Sequence, residues 1–339
     1  MHSFDHGELE GYLAAHVDGF GRLDAMDKFS GGQSNPTYSV TSGTRRFVLR
    51  AKPPGKLLPS AHQVDREYRV MAALAETDVP VPRMFHLSGE DTPLGAQFFV
   101  MEHVDGHIHW DPALPDASPQ VRRAIYDAMN AALAALHSID PAQIGLSDYG
   151  KPGNYFERQL GRWTKQYRAA ETTPRPDVDW VIDWLTEAMP VDDGSATIVH
   201  GDYRIDNMIF SADYELLALL DWELSTLGHP MADLAYQVMI WRIPNEGRFK
   251  GLGGVNRATL GLPSDEDYVA TYCDRRGIQT PFEWRFYLTF ACFRFLAILQ
   301  GVLKRGLEGN ASNPMGQEVM APLIEHLAIE ARSIAQARG

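Results

Sequence analysis

The sequence predicts an α+β protein in two lobes, a small β-rich first lobe and a larger, mainly helical second one. Three observations lead there. The first hundred residues carry β-type runs bounded by turn clusters around one helical stretch. From residue 105 onward helical patterns dominate, interrupted by short apolar runs between residues 197 and 221. A length of 339 residues is enough for two lobes with cores of their own.

In order, a turn cluster at residues 30–36 precedes a β-type run at 37–41, and a second run at 46–50 closes a hairpin across Ser42-Gly43. A Pro-rich loop at 52–59 leads into a helix over about 61–76. Residues 97–101 read as a buried strand and 102–106 as the connection out of it, which sets lobe boundaries of 1–104 and 105–339. Beyond lie helical stretches at 119–137, alanine-rich with Leu133 and Leu136 as anchors, and at 155–168. Short strands follow at 197–200, 208–210 and 215–221, then helices and loops from Met231.

Composition narrows the function. Hydrophobic residues at 45% and charged residues at 22% suit a globular enzyme. A net charge of −13 argues against general affinity for nucleic acid or anionic membrane, while a few local cations still admit a phosphate ligand. Cys273 and Cys292 sit in apolar context as reduced packing residues of a cytoplasmic protein, and the polar start of the chain does not read as a signal peptide. The apolar stretch 286–303 contains Arg294 near its middle, so it reads as a buried helix rather than a membrane span.

The run His200-Gly201-Asp202-Tyr203-Arg204-Ile205-Asp206-Asn207 carries the chemistry. An Asp with an Asn five positions on is the spacing of a phosphoryl-transfer loop. The carboxylate orients the proton of an attacking hydroxyl, and the amide oxygen holds Mg²⁺ against phosphate. Asp221, ending an apolar run, is the candidate second metal ligand. Either carboxylate alone could serve only to form a turn. Glu67 falls on the apolar face of its helix with Val64, Met71 and Leu74, where it is either paired with a cation or solvated at the margin. Arg50 is the candidate partner and Lys52 the second choice. Ser30 to Asn35, with Gly31, Gly32 and Ser34, is a plausible phosphate cradle, although taken alone the run reads first as a hairpin turn.

These residues resemble the aminoglycoside phosphotransferase and choline kinase superfamily, a protein-kinase-like fold. The narrower resemblance is to the kinase-like domain fused to acyl-CoA dehydrogenases and its free-standing bacterial relatives. It rests on residues 47–56, 65–68, 198–202, 219–223 and 228–235, which together span most of the chain. The resemblance implies a nucleotide-binding first lobe, ATP in the cleft and Mg²⁺ as cofactors. It implies Asp202 as the base, Asn207 and Asp221 as metal ligands, and Arg50 with Glu67 as the phosphate-positioning pair. Arg50 stands where a lysine is usual, and arginine keeps the charge. The Glu102 carbonyl and Val104 N–H would meet adenine, and Asp233 would brace the catalytic loop.

The implied activity is phosphorylation of a hydroxylated small molecule, with a hydroxyacyl-CoA ahead of an aminoglycoside or other amino alcohol. A non-catalytic nucleotide-binding protein is the alternative of another class, and the intact Asp202, Asn207 and Asp221 set argues against it. Substrate candidates are Arg158, Arg162 and Lys165, a basic stripe on one helix, and Tyr203, Trp241, Arg242 and Arg294, each of which packing also explains. No nucleic-acid or membrane partner is expected.

Overall fold

The computed structural model describes residues 4–29, 35–53, 62–247, 249–308 and 317–337. The chain divides into two compact units, one of Met1–His107 with Met208–Leu224, the other of Ile108–Asn207 with Ser225–Gly339.

In the first unit, β1 (Ala25–Lys28), β2 (Thr37–Ser42), β3 (Arg45–Ala51), β4 (Met84–Leu87) and β5 (Phe98–Glu102) form one antiparallel sheet in the order β1-β2-β3-β5-β4. Side chains alternate across a strand. Phe47, Leu49 and Ala51 of β3 therefore join Val40, Phe98 and Val100 in a core that also takes Leu9 and Leu13 of helix α1 (His6–His16). Arg50 has the opposite parity. On its side of the chain lies α2 (Val64–Leu74), shorter than the helix expected at 61–76, with Val64, Glu67, Met71 and Leu74 buried.

The strands β7 (Met208–Phe210) and β8 (Leu216–Leu219) pair as a hairpin. A bridge from His107 to Phe210 and a hydrogen bond from Leu219 N–H to the Pro80 carbonyl tie this hairpin into the first unit. Those ties explain why residues 208–224 cluster there, whereas the sequence reading assigns everything after 104 to the helical lobe.

The second unit contains α3 (Pro119–Ser138), α4 (Tyr155–Ala170), α5 (Pro176–Glu187), the strand pair β6 (Thr197–Val199) and β9 (Thr226–Gly228), and α6 (Met231–Arg242). It continues with α7 (Arg257–Leu260), α8 (Asp265–Arg276), α9 (Trp284–Leu307) and α10 (Gln317–Gln336). Ser118 and Ser264 cap α3 and α8 by accepting first-turn N–H groups. Helix α9 packs against α4, α5, α6 and α10. By length and a mean hydropathy of 1.7 it could cross a membrane, yet 83% of its most apolar window is buried within the fold. Both cysteines are unpaired and buried. From Met231 to Trp241 every residue of α6 is buried, including the polar Asp233 and Gln237.

Candidate active site

Strand β6 delivers His200-Gly201-Asp202 to its C-terminal end. Gly201 has φ 87°, a left-handed backbone that a side chain would strain. Two N–H groups of this turn converge on one carboxylate: His200 and Gly201 donate to Asp233 at 2.6 and 2.8 Å. Asp233 is fully buried and lies 3.3 Å from His137 Nε2, whose Nδ1 sits 2.7 Å from the Tyr272 hydroxyl. Burial pushes the Asp233 carboxyl up, but His137, His200 and the Gly201 N–H outweigh it and hold the group below the usual range. Burial lowers His137. A neutral ring donating from Nε2 to Asp233 and accepting at Nδ1 from Tyr272 satisfies every atom.

Asp202 is gripped at both oxygens. Tyr236 on α6 donates its hydroxyl to Oδ1 at 2.6 Å, and Asn207 Nδ2 donates to Oδ2 and to the Asp202 carbonyl, each at 2.9 Å. This amide orientation directs the Asn207 nitrogen at Asp202 and leaves its oxygen as the atom for a cation. Arg204 places Nε 3.8 Å from Asp202 Oδ1, donates from that nitrogen to Asp206 at 2.8 Å, and stacks 4.9 Å over the Phe249 ring. Burial works against its charge, and Asp202 and Asp206 more than restore it. Arg294 on α9 donates to the Gly201 carbonyl at 2.7 Å, between the rings of Trp163 and Tyr236.

The first unit holds its own cluster. Arg50 Nε lies 2.9 Å from Glu67 Oε2 without being aligned on it, so the contact is ionic rather than a directed hydrogen bond. Arg50 Nη2 donates to Asp221 Oδ1 at 2.8 Å and lies 3.6 Å from Glu223. Asn35 donates to Glu67 Oε1 at 2.8 Å. Burial pushes the Glu67 carboxyl up to about 7, against the pull of Arg50, and Asp221 and Glu223 add to the rise. Burial opposes the Arg50 charge, but the three carboxylates hold the guanidinium protonated. The Arg50 guanidinium is thus shared by three carboxyl groups. Asp221 adopts φ 64°, turned out of the strand that β8 ends at Leu219.

The substrate candidates fare differently. Tyr203 is fully buried and donates to the Met129 carbonyl, and Trp241 packs on Tyr126 and Tyr268, so both are packing residues. Arg242 pairs with Asp265 and Glu330, a structural tie. Arg158 bonds the Lys151 and Pro152 carbonyls, while Arg162 and Lys165 lie on an exposed face, which leaves the basic stripe solvated. Lys52 pairs with Glu90 instead of Glu67. Gly31, Gly32 and Ser34 lie outside the described residues. Glu102 ends β5 with its N–H on the Arg83 carbonyl, and Val104 follows in the connection.

Sequence reasoning missed Tyr236, and it gave no role to the contacts of Asn35 with Glu67, Arg204 with Asp202 and Glu223 with Arg50. The signal for Tyr236 was its position three residues after Asp233, on the same helical face.

Residues 26–272 match the model of the phosphotransferase enzyme family. The chain belongs to that family. Relatives include acyl-CoA dehydrogenase family member 10 of Mus musculus, 45% identical over 312 residues, covering 91% of this chain and 29% of that protein. Acyl-CoA dehydrogenase family member 11 of Gallus gallus is 42% identical over 336 residues, covering 97% and 43%. The chain thus spans less than half the length of these relatives. A solved Ralstonia eutropha protein, provisionally named an aminoglycoside phosphotransferase, superposes with TM-score 0.87 at 45% identity over 98% of this chain and 99% of its own. An aminoglycoside phosphotransferase solved with ADP and hygromycin B shares the fold at TM-score 0.63 and 15% identity, over 98% and 100%. The fold is the α+β, kinase-like one of these phosphotransferases.

Proposed function

We propose that this phosphotransferase moves the γ-phosphoryl group of ATP, with Mg²⁺, to a hydroxyl of a small molecule whose remainder is partly apolar, a hydroxyacyl thioester being the foremost class. The observation that carries the reading is the Asp202 carboxylate, held at both oxygens and partnered by Asn207 five positions on. Asp202 accepts the proton of the attacking hydroxyl. Arg50, steadied by Glu67, takes phosphate oxygens. Each unit offers an oxygen of the kind a hard divalent cation takes: the Asn207 amide oxygen, which faces away from Asp202, and the Asp221 carboxylate. When bound, Mg²⁺ neutralises the phosphate oxygens. Nucleotide use is supported by ADP in the solved hygromycin phosphotransferase of the same fold.

The acceptor class is supported by a cavity of about 370 Å³ whose apolar wall is Ile243, Pro244, Phe249 and Leu323, with Glu246 and His326 as polar members of its lining. Phe249 is the ring on which Arg204 stacks, and Arg204 reaches Asp202. An apolar chain suits the aliphatic and aromatic part of this lining, while Glu246 would suit a cationic group. The names of the acyl-CoA dehydrogenase relatives point the same way, whereas hygromycin B in the solved neighbour favours an amino sugar.

The test is ADP release across hydroxyacyl-CoAs, amino sugars and choline, with Asp202→Ala alongside. Nucleotide binding should survive in the variant while turnover falls by about 100- to 10,000-fold. Normal turnover by Asp202→Ala removes the assignment, and amino-sugar turnover without thioester turnover reverses the acceptor ranking.

A further inference from the structure

We propose that Tyr236 is a positioning residue for phosphoryl transfer, fixing the Asp202 side chain while Asp233, one turn earlier on α6, fixes the main chain beside it. The inference rests on the reading that Asp202 is the catalytic base. A carboxylate on a free loop rotates about two bonds and presents its oxygens in many directions. Here Oδ1 accepts from the Tyr236 hydroxyl at 2.6 Å and Oδ2 from Asn207 at 2.9 Å, so the plane of the group is set from two sides. Each carboxylate oxygen offers about two acceptor sites, so one remains on each for a substrate hydroxyl.

The tyrosine is itself immobilised. It is 3% exposed, its ring meets Phe295 edge-on at 6.0 Å, and the Arg294 guanidinium covers it at 5.3 Å. Burial holds the phenol protonated, with Asp202 adding to the rise, so the hydroxyl is the donor. Two side chains of one fully buried helix thus address consecutive parts of the catalytic loop. Asp233 takes the His200 and Gly201 N–H groups, and Tyr236 takes the carboxylate. The charged groups facing this arrangement are Arg204 at 3.8 Å from Asp202, Asp206 behind Arg204, and Arg294 on the Gly201 carbonyl.

A merely structural tyrosine, using Asp202 only to satisfy its own hydroxyl, behaves differently on substitution. The experiment measures ADP release from Mg·ATP with an acceptor the enzyme turns over, or with water where none is found, together with thermal unfolding. It compares Tyr236→Phe, Asp202→Ala, the double variant, and Tyr126→Phe, which removes another buried hydroxyl bond, to the Pro112 carbonyl. Tyr236→Phe should lower kcat about 10- to 100-fold with the KM for ATP unchanged, and add nothing in the Asp202→Ala background. Tyr126→Phe should lose comparable thermal stability and keep kcat. If Tyr236→Phe is insoluble, Phe295→Leu, which releases the ring and keeps the hydroxyl, should show the same kcat loss. Wild-type kcat in Tyr236→Phe, or a loss that multiplies on top of Asp202→Ala, overturns the proposal. Undiminished turnover by Asp202→Ala instead removes the assignment of the base.

Discussion

Asp233→Asn isolates a charge without changing shape. The native carboxylate accepts the His200 and Gly201 N–H groups at 2.6 and 2.8 Å and faces His137 at 3.3 Å, with no solvent access. Asparagine keeps one acceptor oxygen, and its NH₂ meets the other backbone N–H donor to donor. A charge-assisted bond contributes about 1.5–3 kcal/mol, and a buried donor left unsatisfied costs about 1–3 kcal/mol. Together these predict a loss of about 3–5 kcal/mol and a melting temperature lower by roughly 4–7 °C. The same displacement loosens the turn that carries Asp202, so kcat should fall about 100-fold.

Acidity supplies a second signature of the same variant. The folded Asp233 carboxyl titrates below its unfolded value of 3.8, so its contribution is complete above that value and lost as pH falls through the depressed one. The Asn variant should lack that part of the acid limb. Urea unfolding at several pH values, with ADP release, measures both effects. A variant within about 1 kcal/mol of wild type at neutral pH and with full turnover would refute the bracing role.

The remaining predictions concern the other cluster and the cavity. Glu67 titrates near 7 when folded against 4.5 when unfolded, so its contribution is complete below 4.5 and declines as pH rises toward 7. Glu67→Gln should flatten that decline in urea unfolding between pH 5 and pH 8; an unchanged slope would mean that Glu67 is ionised throughout. Phe249→Ala should raise the KM for acceptors with longer apolar chains several-fold and leave the KM for ATP alone, and equal effects on short and long acceptors would remove the cavity from the acceptor site.

What could be read in the sequence was local. The hairpin of β2 and β3, the strand β5 and the helices α3 and α4 follow from turn chemistry and period, and the spacing of Asp202 and Asn207 is written in eight residues. The proximity of Arg50 and Glu67 was legible because a carboxylate on an apolar face asks for a cation. Contacts between distant segments were not legible. Nothing in Asn35 announces a bond to Glu67, and Tyr236 looks like any aromatic of a core helix until α6 is set beside β6. The same blindness made Tyr203 and Trp241 look available to substrate, since burial depends on partners 74 and 115 residues away in the chain.

Arg294 shows how such distant contacts make the catalytic turn rigid. Helix α9 is apolar enough to resemble a membrane span, and a charge in its middle is costly in any apolar surrounding unless it is solvated from within. The guanidinium finds the Gly201 carbonyl and two ring faces. The peptide group on the other side of Gly201 gives its N–H to Asp233. The left-handed glycine is therefore held at its N–H by α6 and at its C=O by α9, and Asp202 follows directly after it. Such a turn owes its geometry to two packed helices rather than to its own backbone preferences. On the proposed reading, changes along the Phe249 cavity that leave α6 and α9 intact would alter which acceptor binds without moving the Asp202 carboxylate.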